Sequence, residues 1–292
     1  NTASFTIGNA LATSDTQYTL TGSVTVNKDS ALNVNGTTNI TGGVTLDSGS
    51  VNVGNGTLVS DITAKGNTTV TGNANITNLT VDGSDGATTV INVGTADATA
   101  STSISNANLN GATICFDPDW AQQAGKHGIV FASNINGKVL VARNNYVAVG
   151  TEDNNEAKAM FEKTGLAFGE NDITAALYIA GNQTLDSSNG ALAVDGSKAG
   201  STDFGTVNAG SFTAAANSVV MVDGQAIKEN AALSGVSDVS IDADAKLYVD
   251  GAKKGETYKV LAGSGIDQSW VNENIISDNA LLVFAGDNTG NN

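Results

Sequence analysis

The chain has 292 residues, with 13 basic against 29 acidic side chains for a net charge of −16, 34 glycines, and one each of proline, cysteine and histidine. An acidic excess of this size excludes a phosphate-binding surface and with it nucleic acid as a partner. One histidine and one cysteine cannot build a His/Cys metal cluster, so neither metal nor cofactor is expected. No apolar run approaches the roughly 18 residues of a membrane-spanning helix, so this segment is not expected to insert into a membrane, and Asn1-Thr2-Ala3-Ser4 lacks the features of a secretory signal.

Residues 1–111 repeat. Alternating apolar couplets such as Val24-Thr25-Val26, Leu32-Asn33-Val34, Val44-Thr45-Leu46, Val51-Asn52-Val53 and Leu79-Thr80-Val81 are separated by Gly, Asn, Asp or Ser. Val24 to Val44 is a step of 20, Leu32 to Val51, Val34 to Val53, Val51 to Val70 and Ile62 to Val81 are steps of 19, and Val44 to Ile62 and Leu58 to Ile76 are steps of 18. Alternation puts both apolar side chains of a couplet on one strand face and Thr or Asn on the other. A strand that short cannot bury its face alone. If the chain turns after each couplet and returns one strand spacing higher, like residues stack on like and a continuous core forms. The expected fold is all-β, a right-handed parallel β-helix with about 19 residues per coil, the handedness following from the bias of parallel crossovers. Val34, Val53, Leu58, Ile76 and Val81 should point inward. Asn35-Gly36, Gly42-Gly43, Asn55-Gly56 and Asp82-Gly83 supply the tight corners.

Residues 1–10 contain no charge and no proline, and Phe5 and Ile7 alternate as in a strand. An open solenoid end carries unpaired N–H and C=O groups, and charge, proline or a cap normally blocks such an edge. Phe5 and Ile7 therefore mark a candidate self-association edge, where a covering segment or a second copy would dock, in the extreme as an end-to-end filament.

Residues 112–170 are irregular. Ala112-Thr113-Ile114-Cys115-Phe116 reads as an apolar strand in which Cys115 is buried. Phe116-Asp117-Pro118-Asp119-Trp120 holds the proline, and His127 follows as an exposed loop residue. A short helix is expected near 154–164, opened by an Asn cap, with Ala157, Met160, Phe161 and Thr164 on one face and Gly165 as its stop, laid against the solenoid. In residues 171–285 strand texture returns. Val194-Asp195-Gly196, Val222-Asp223-Gly224 and Val249-Asp250-Gly251 each lead a strand into a turn. A dense apolar block from Leu247 through Trp270 to Phe284 suits a cap, and 286–292 reads as a flexible tail.

The phrases Ala245-Lys246-Leu247-Tyr248-Val249-Asp250-Gly251-Ala252, Gly255-Glu256-Thr257-Tyr258-Lys259-Val260-Leu261-Ala262-Gly263 and Ile275-Ile276-Ser277-Asp278-Asn279-Ala280-Leu281-Leu282 resemble the end of passenger regions in bacterial autotransporters. Phe116 to Trp120, Val139-Leu140-Val141-Ala142-Arg143-Asn144 and Ile173 to Tyr178 resemble the same type V secretion family of Gram-negative bacteria. The resemblance spans roughly residues 110–285 and implies an extracellular or cell-surface passenger, associated with the outer membrane and without the family's C-terminal β-barrel.

Candidate chemistry is thin. Leu46-Asp47-Ser48-Gly49-Ser50 imitates the nucleophile segment of trypsin-like proteases, but Leu46 replaces a glycine, His127 lies downstream, and the segment continues the repeat. Asp117, Asp119, Glu152 and Asp153 could supply the carboxylate pair of a polysaccharide-degrading β-helix enzyme, the rival reading. The Gly-Gly-x-Gly-x-Asp calcium nonapeptide is absent. No catalytic, cofactor or metal residue is assigned. The expected function is noncatalytic adhesion or self-association, with a second copy, a host surface or a glycan as partner.

Overall fold

The computed structural model of the protein describes residues 2–83, 88–92, 101–116, 128–169, 173–198, 207–262 and 274–278. In the N-terminal part the strands are β1 (Ser4–Ile7), β2 (Gln17–Leu20), β3 (Val24–Val26), β4 (Ala31–Val34), β5 (Thr37–Asp47), β6 (Ser50–Val53), β7 (Leu58–Lys65), β8 (Thr68–Thr71) and β9 (Ala74–Asp82). The middle holds β10 (Thr88–Asn92), β11 (Ser101–Asn108), β12 (Thr113–Phe116), β13 (Gly128–Phe131), β14 (Lys138–Val141), β15 (Tyr146–Val149) and the helix α1 (Asn154–Lys163). Then come β16 (Ala175–Ile179), β17 (Gln183–Thr184), β18 (Ala191–Val194), β19 (Ser211–Ala214), β20 (Ser218–Asp223), β21 (Leu233–Ser234), β22 (Asp238–Ile241), β23 (Lys246–Asp250) and β24 (Ile275–Ser277).

Every strand pairing among the described residues is parallel. One sheet stacks β1-β4-β6-β8-β10-β12-β14-β18-β19-β22, and the other runs from β2 and β3 through β5, β7, β9, β11, β13, β15, β16, β20 and β23 to β24. The fold is thus a parallel β-solenoid. In the first coils the second sheet bends into two faces. β5 pairs with β2 through residues 37–40 and with β3 through 44–46, and its register with β7 shifts between Ile40 and Val44. The bend falls at Thr41-Gly42-Gly43, where the Gly42 N–H donates to the Gly22 carbonyl at 2.9 Å and a Cβ on Gly42 would overlap the Gly22 backbone. Only glycine lets successive corners stack that closely. In the C-terminal coils a narrow third side remains, made by β17 with β21 and by single bridges joining Ile135 to Leu185 and Leu233 to Leu261.

The core lies between the sheets. Val34, Val53, Leu58, Ile76 and Val81 are all buried, as alternation requires. Register is partly corrected. Val24 pairs with Val44, Leu32 with Val51, Val34 with Val53, Val44 with Ile62 and Val51 with Val70, as the repeat implies. Leu58, however, pairs with Ala74 and Ser60 with Ile76, while Ile62 pairs with Leu79 and Ala64 with Val81. A slip of two residues keeps every side chain on its own face, so apolar periodicity alone cannot detect it. The 19-residue period is also local. Ser4 pairs with Ala31, 27 residues on, Ile76 with Ile104, 28 on, and Ile179 with Val222, 43 on, the added residues lying in the connections between strands.

Helix α1 occupies the expected segment, with Ala157, Met160 and Phe161 buried and Thr164 half-buried. Its cap is Asp153 instead of an asparagine: Asp153 Oδ1 accepts from Asn155 N at 2.8 Å and from Glu156 N at 3.4 Å. A carboxylate at this position also opposes the positive end of the helix dipole. Gly165 follows with φ +68°, the left-handed stop. Cys115 is buried, as expected. The Asp-Gly phrases form turns in which Asp195 Oδ1 accepts from Ser197 N and Asp223 Oδ1 from Gln225 N. His127, Asp117, Asp119, Trp120 and Trp270, together with 286–292, fall outside the described residues.

One buried polar group ties two coils together at a corner. The Asn145 amide, 1% exposed, donates to the carbonyls of Phe116 at 2.6 Å and of Ala142 and Arg143 at 3.4 Å. Asn145→Ala is expected to lower stability by about 1–2 kcal/mol, because the buried Phe116 carbonyl of the neighbouring coil loses its 2.6 Å side-chain hydrogen bond and keeps only the one from Ala142 N. A urea midpoint unchanged within error would refute this role.

Candidate functional site

Outward-facing residues form ladders because parallel in-register strands repeat about every 4.8 Å. On one face Thr25, Thr45, Thr63, Thr80 and Asn108 lie in a single column. A second column runs Thr19, Asn39, Val59, Asn75 and Ser103, and a third Thr6, Asn33, Asn52 and Thr71. The columns are knitted along the axis. Asn52 Nδ2 donates to Asn33 Oδ1 at 3.1 Å, Ser103 Oγ to Asn75 Oδ1 at 3.0 Å, Asn106 Nδ2 to Asn78 Oδ1 at 3.4 Å, and Asn136 Nδ2 to Asn108 Oδ1 at 3.2 Å. Such a surface offers evenly spaced hydrogen-bond donors and acceptors, suited to holding a polymer or another flat face.

The solenoid's first coil is different. Phe5 is 55% exposed and Leu11 89% exposed, the exposed large hydrophobics of the described residues. Phe5 pairs with Leu32 and so heads the inward column of Leu32, Val51 and Val70. Ile7, Leu20 and Val24 pack on the core while half-exposed. β1 pairs only with β4, and β2 and β3 only with β5, so one edge of each is unpaired among the described residues. The structure therefore puts Phe5 and Ile7 where the alternation implies, on the first rung. Leu11 was not legible: it sits in the turn between β1 and β2, outside any alternating pattern.

From β13 onward the outer face of the second sheet turns apolar. Val130, Ala148, Tyr178, Met221 and Tyr248 form one outward column, and helix α1 covers them with Ala157, Met160 and Phe161. Phe161 stacks against Tyr146 with ring centroids 6.1 Å apart and lies against Phe168 at 4.6 Å. Three phenols in this layer have raised pKa values. Burial is the main cause for Tyr146, Tyr178 and Tyr248, reinforced by the negative charge of Glu162, by a 2.9 Å hydrogen bond to Glu156 Oε1, and by Asp250 respectively. Glu156 also accepts from Thr151 Oγ1 at 2.8 Å, and Lys163 Nζ pairs with Asp250 Oδ2 at 2.6 Å. The signal for this layer lies in Tyr146-Val147-Ala148-Val149 and Ala175-Ala176-Leu177-Tyr178-Ile179, where alternation gives way to strands apolar on both faces.

Of the carboxylates weighed for catalysis, Glu152 and Asp153 lie among the described residues. Asp153 is committed to the helix cap, Glu152 is exposed beside it, and Asp117 and Asp119 lie outside the described residues. Ser48 occupies a corner with φ +55°, one coil from Asp29 at φ +61° and Gly66 at φ +70°. It is a repeated left-handed corner position, where the Ser48 N–H donates to the Lys65 carbonyl at 2.8 Å. Among the described residues no group of three or more His, Cys, Asp or Glu is placed to hold a metal ion, and no helix is long and apolar enough to cross a membrane. The chain is a parallel β-solenoid with polar outer ladders, one helix-covered face and a first coil on which Phe5 and Leu11 are exposed. No protein-family model, curated protein or solved structure matches it.

Proposed function

We propose that this chain is an extracellular, noncatalytic surface protein, an autotransporter-like passenger of a Gram-negative bacterium acting in adhesion or self-association. The observation that carries the reading is the set of in-register Thr, Asn and Ser columns on the outer faces of the first coils. A flat polar array binds by repetition: many weak hydrogen bonds engage at once when its partner, a glycan on a host surface or another cell's copy, repeats in its turn. The resemblance of residues 110–285 to passenger regions supplies the cell-surface setting.

The test is display of the chain on beads, with adhesion measured to one another and to glycan-coated surfaces. Thr45→Glu with Thr63→Glu should reduce bead adhesion at least tenfold, because each charge interrupts the array and repels like surfaces, while leaving the inward core intact. Undiminished adhesion of that variant would remove the ladders from the mechanism.

A further inference from the structure

We infer that Asn55 is a site of spontaneous deamidation, at which the Gly56 nitrogen closes a ring on the Asn55 side chain and the corner between β6 and β7 ages to aspartate and isoaspartate. This chemistry is independent of adhesion.

Five Asn-Gly pairs lie between strands of the solenoid: Asn35-Gly36, Asn55-Gly56, Asn110-Gly111, Asn136-Gly137 and Asn189-Gly190. Asparagine is thermolabile, and a following glycine puts no Cβ in the way of ring closure. Composition makes the five pairs equal, but their surroundings differ. The Gly36 N–H donates to the Asn55 carbonyl, the Gly111 N–H to the Asn136 carbonyl at 3.2 Å and the Gly190 N–H to the Asp186 carbonyl at 2.6 Å. A nitrogen held in this way must give up its hydrogen bond before it can attack. Asn136 is fixed at both side-chain atoms, since its Oδ1 accepts from Leu109 N at 2.9 Å and its Nδ2 donates to Asn108 Oδ1 at 3.2 Å.

Asn55 combines the opposite conditions. It is exposed, its Nδ2 makes one long hydrogen bond, to the Ala12 carbonyl at 3.4 Å, and the Gly56 N–H has no acceptor among the described residues. The Asn55 carbonyl belongs to the same peptide unit as the Gly56 nitrogen, and it accepts the Gly36 N–H. A donor on that oxygen stabilises the amide anion that forms as the nitrogen loses its proton, as an oxyanion site would. The neighbouring coil thus activates the attacking atom while leaving the side chain free to meet it.

The Gly56 nitrogen bonds to Asn55 Cγ, its proton passes through solvent to Nδ2, and Nδ2 leaves as ammonia. Water then adds to one of the two imide carbonyls and breaks that carbon's bond to the nitrogen. Opening at Cγ gives aspartate. Opening at the main-chain carbonyl gives isoaspartate, whose backbone runs through Cβ and Cγ and is one methylene longer. Either product adds a negative charge. The corner has little room for the longer chain, because even a Cβ on Gly56 would overlap the backbone of Gly36 and Thr37. Isoaspartate is therefore expected to draw the Asn55 and Thr57 carbonyls away from the Gly36 and Thr38 N–H groups, the second of these bonds being 2.8 Å.

Timed incubation of the folded chain at mildly alkaline pH in oxygen-18 water, followed by peptide mapping and an isoaspartate-specific methyl-transfer assay, tests this. Asn55 is expected to convert at least tenfold faster than Asn35, Asn110, Asn136 or Asn189, with one ammonia released and one solvent oxygen taken up per event. In concentrated urea the five should convert at rates within about threefold of one another, which assigns the difference to the fold. Asn55→Gln, which would need a larger ring, should abolish the fast conversion and leave circular dichroism unchanged. Hydrogen exchange of the aged chain should show the Gly36 and Thr38 amides at least tenfold less protected. A folded chain in which Asn55 converts no faster than the other four would overturn the proposal. So would a preference for Asn55 that persists undiminished in urea, since the rate would then belong to the local sequence and owe nothing to the corner.

Discussion

Phe161→Ala is expected to remove about 3–5 kcal/mol from the docking of α1, the usual cost of emptying a buried aromatic site. Phe161 is 9% exposed and touches both Tyr146 and Phe168, so its loss leaves a void between helix and sheet. The helix packs chiefly on β13, β15 and β16, and its Lys163 reaches Asp250 of β23. The damage should therefore be local. Amides of 154–163 are expected to lose hydrogen-exchange protection by two orders of magnitude or more, while those of β5 and β7 keep theirs, because a solenoid coil feels only its neighbours. Equal loss of protection in β5 would show that the helix supports the whole stack.

Alkaline pH should act on the same layer. Tyr146, Tyr178 and Tyr248 are no more than 2% exposed, and burial holds each phenol above its ordinary value of about 10. An acid whose pKa is raised by folding favours the native state only while it stays neutral. That contribution is complete below pH ~10, where unfolded tyrosine is also protonated, and falls as pH rises toward the native pKa. Each tyrosine that ionises only on unfolding steepens the decline by up to about 1.4 kcal/mol per pH unit. Lys163, whose pKa the hydrogen bond to Asp250 raises, loses its proton in the same direction, but its side chain is 52% exposed and adds little. Urea midpoints should be flat from pH 8 to 9.5 and drop sharply above 10.5, with tyrosinate absorbance appearing together with unfolding. Tyr178→Phe should flatten the slope, since it keeps the ring and removes the ionisable group. A parent chain whose midpoint does not move between pH 10 and 11.5 would contradict the assignment.

The parts of this fold legible in the sequence are those written in side-chain parity. Leu32, Val34, Val51 and Val53 announce their face by alternating with Asn, and the stacking of Leu32 on Val51 follows from their spacing. Register in β7 and β9 was not legible, because Ile76 set against Ser60 in place of Leu58 still points inward. Corners decide such slips, and Gly72-Asn73 shortens its coil without disturbing the apolar pattern. The helix was legible from the spacing of Ala157, Met160 and Phe161. Its cap was misplaced by one residue, since Asp153 and Asn154 are both good caps and only the backbone chooses between them. In the first coil, Phe5 and Ile7 could be read and Leu11 could not, for a turn residue's exposure depends on what the neighbouring coil leaves uncovered.

The helix laid over one face also divides the molecule mechanically. A rod of nearest-neighbour coils that is held by its ends yields at its weakest rung and then unwinds turn by turn. The first coils resist with one layer of core, whereas those from β13 to β23 have a second layer outside the sheet, formed by α1 with Tyr146, Tyr178 and Tyr248. Under tension the N-terminal coils would pay out first as extensible length, and the helix-clad section would remain as a rigid anchor.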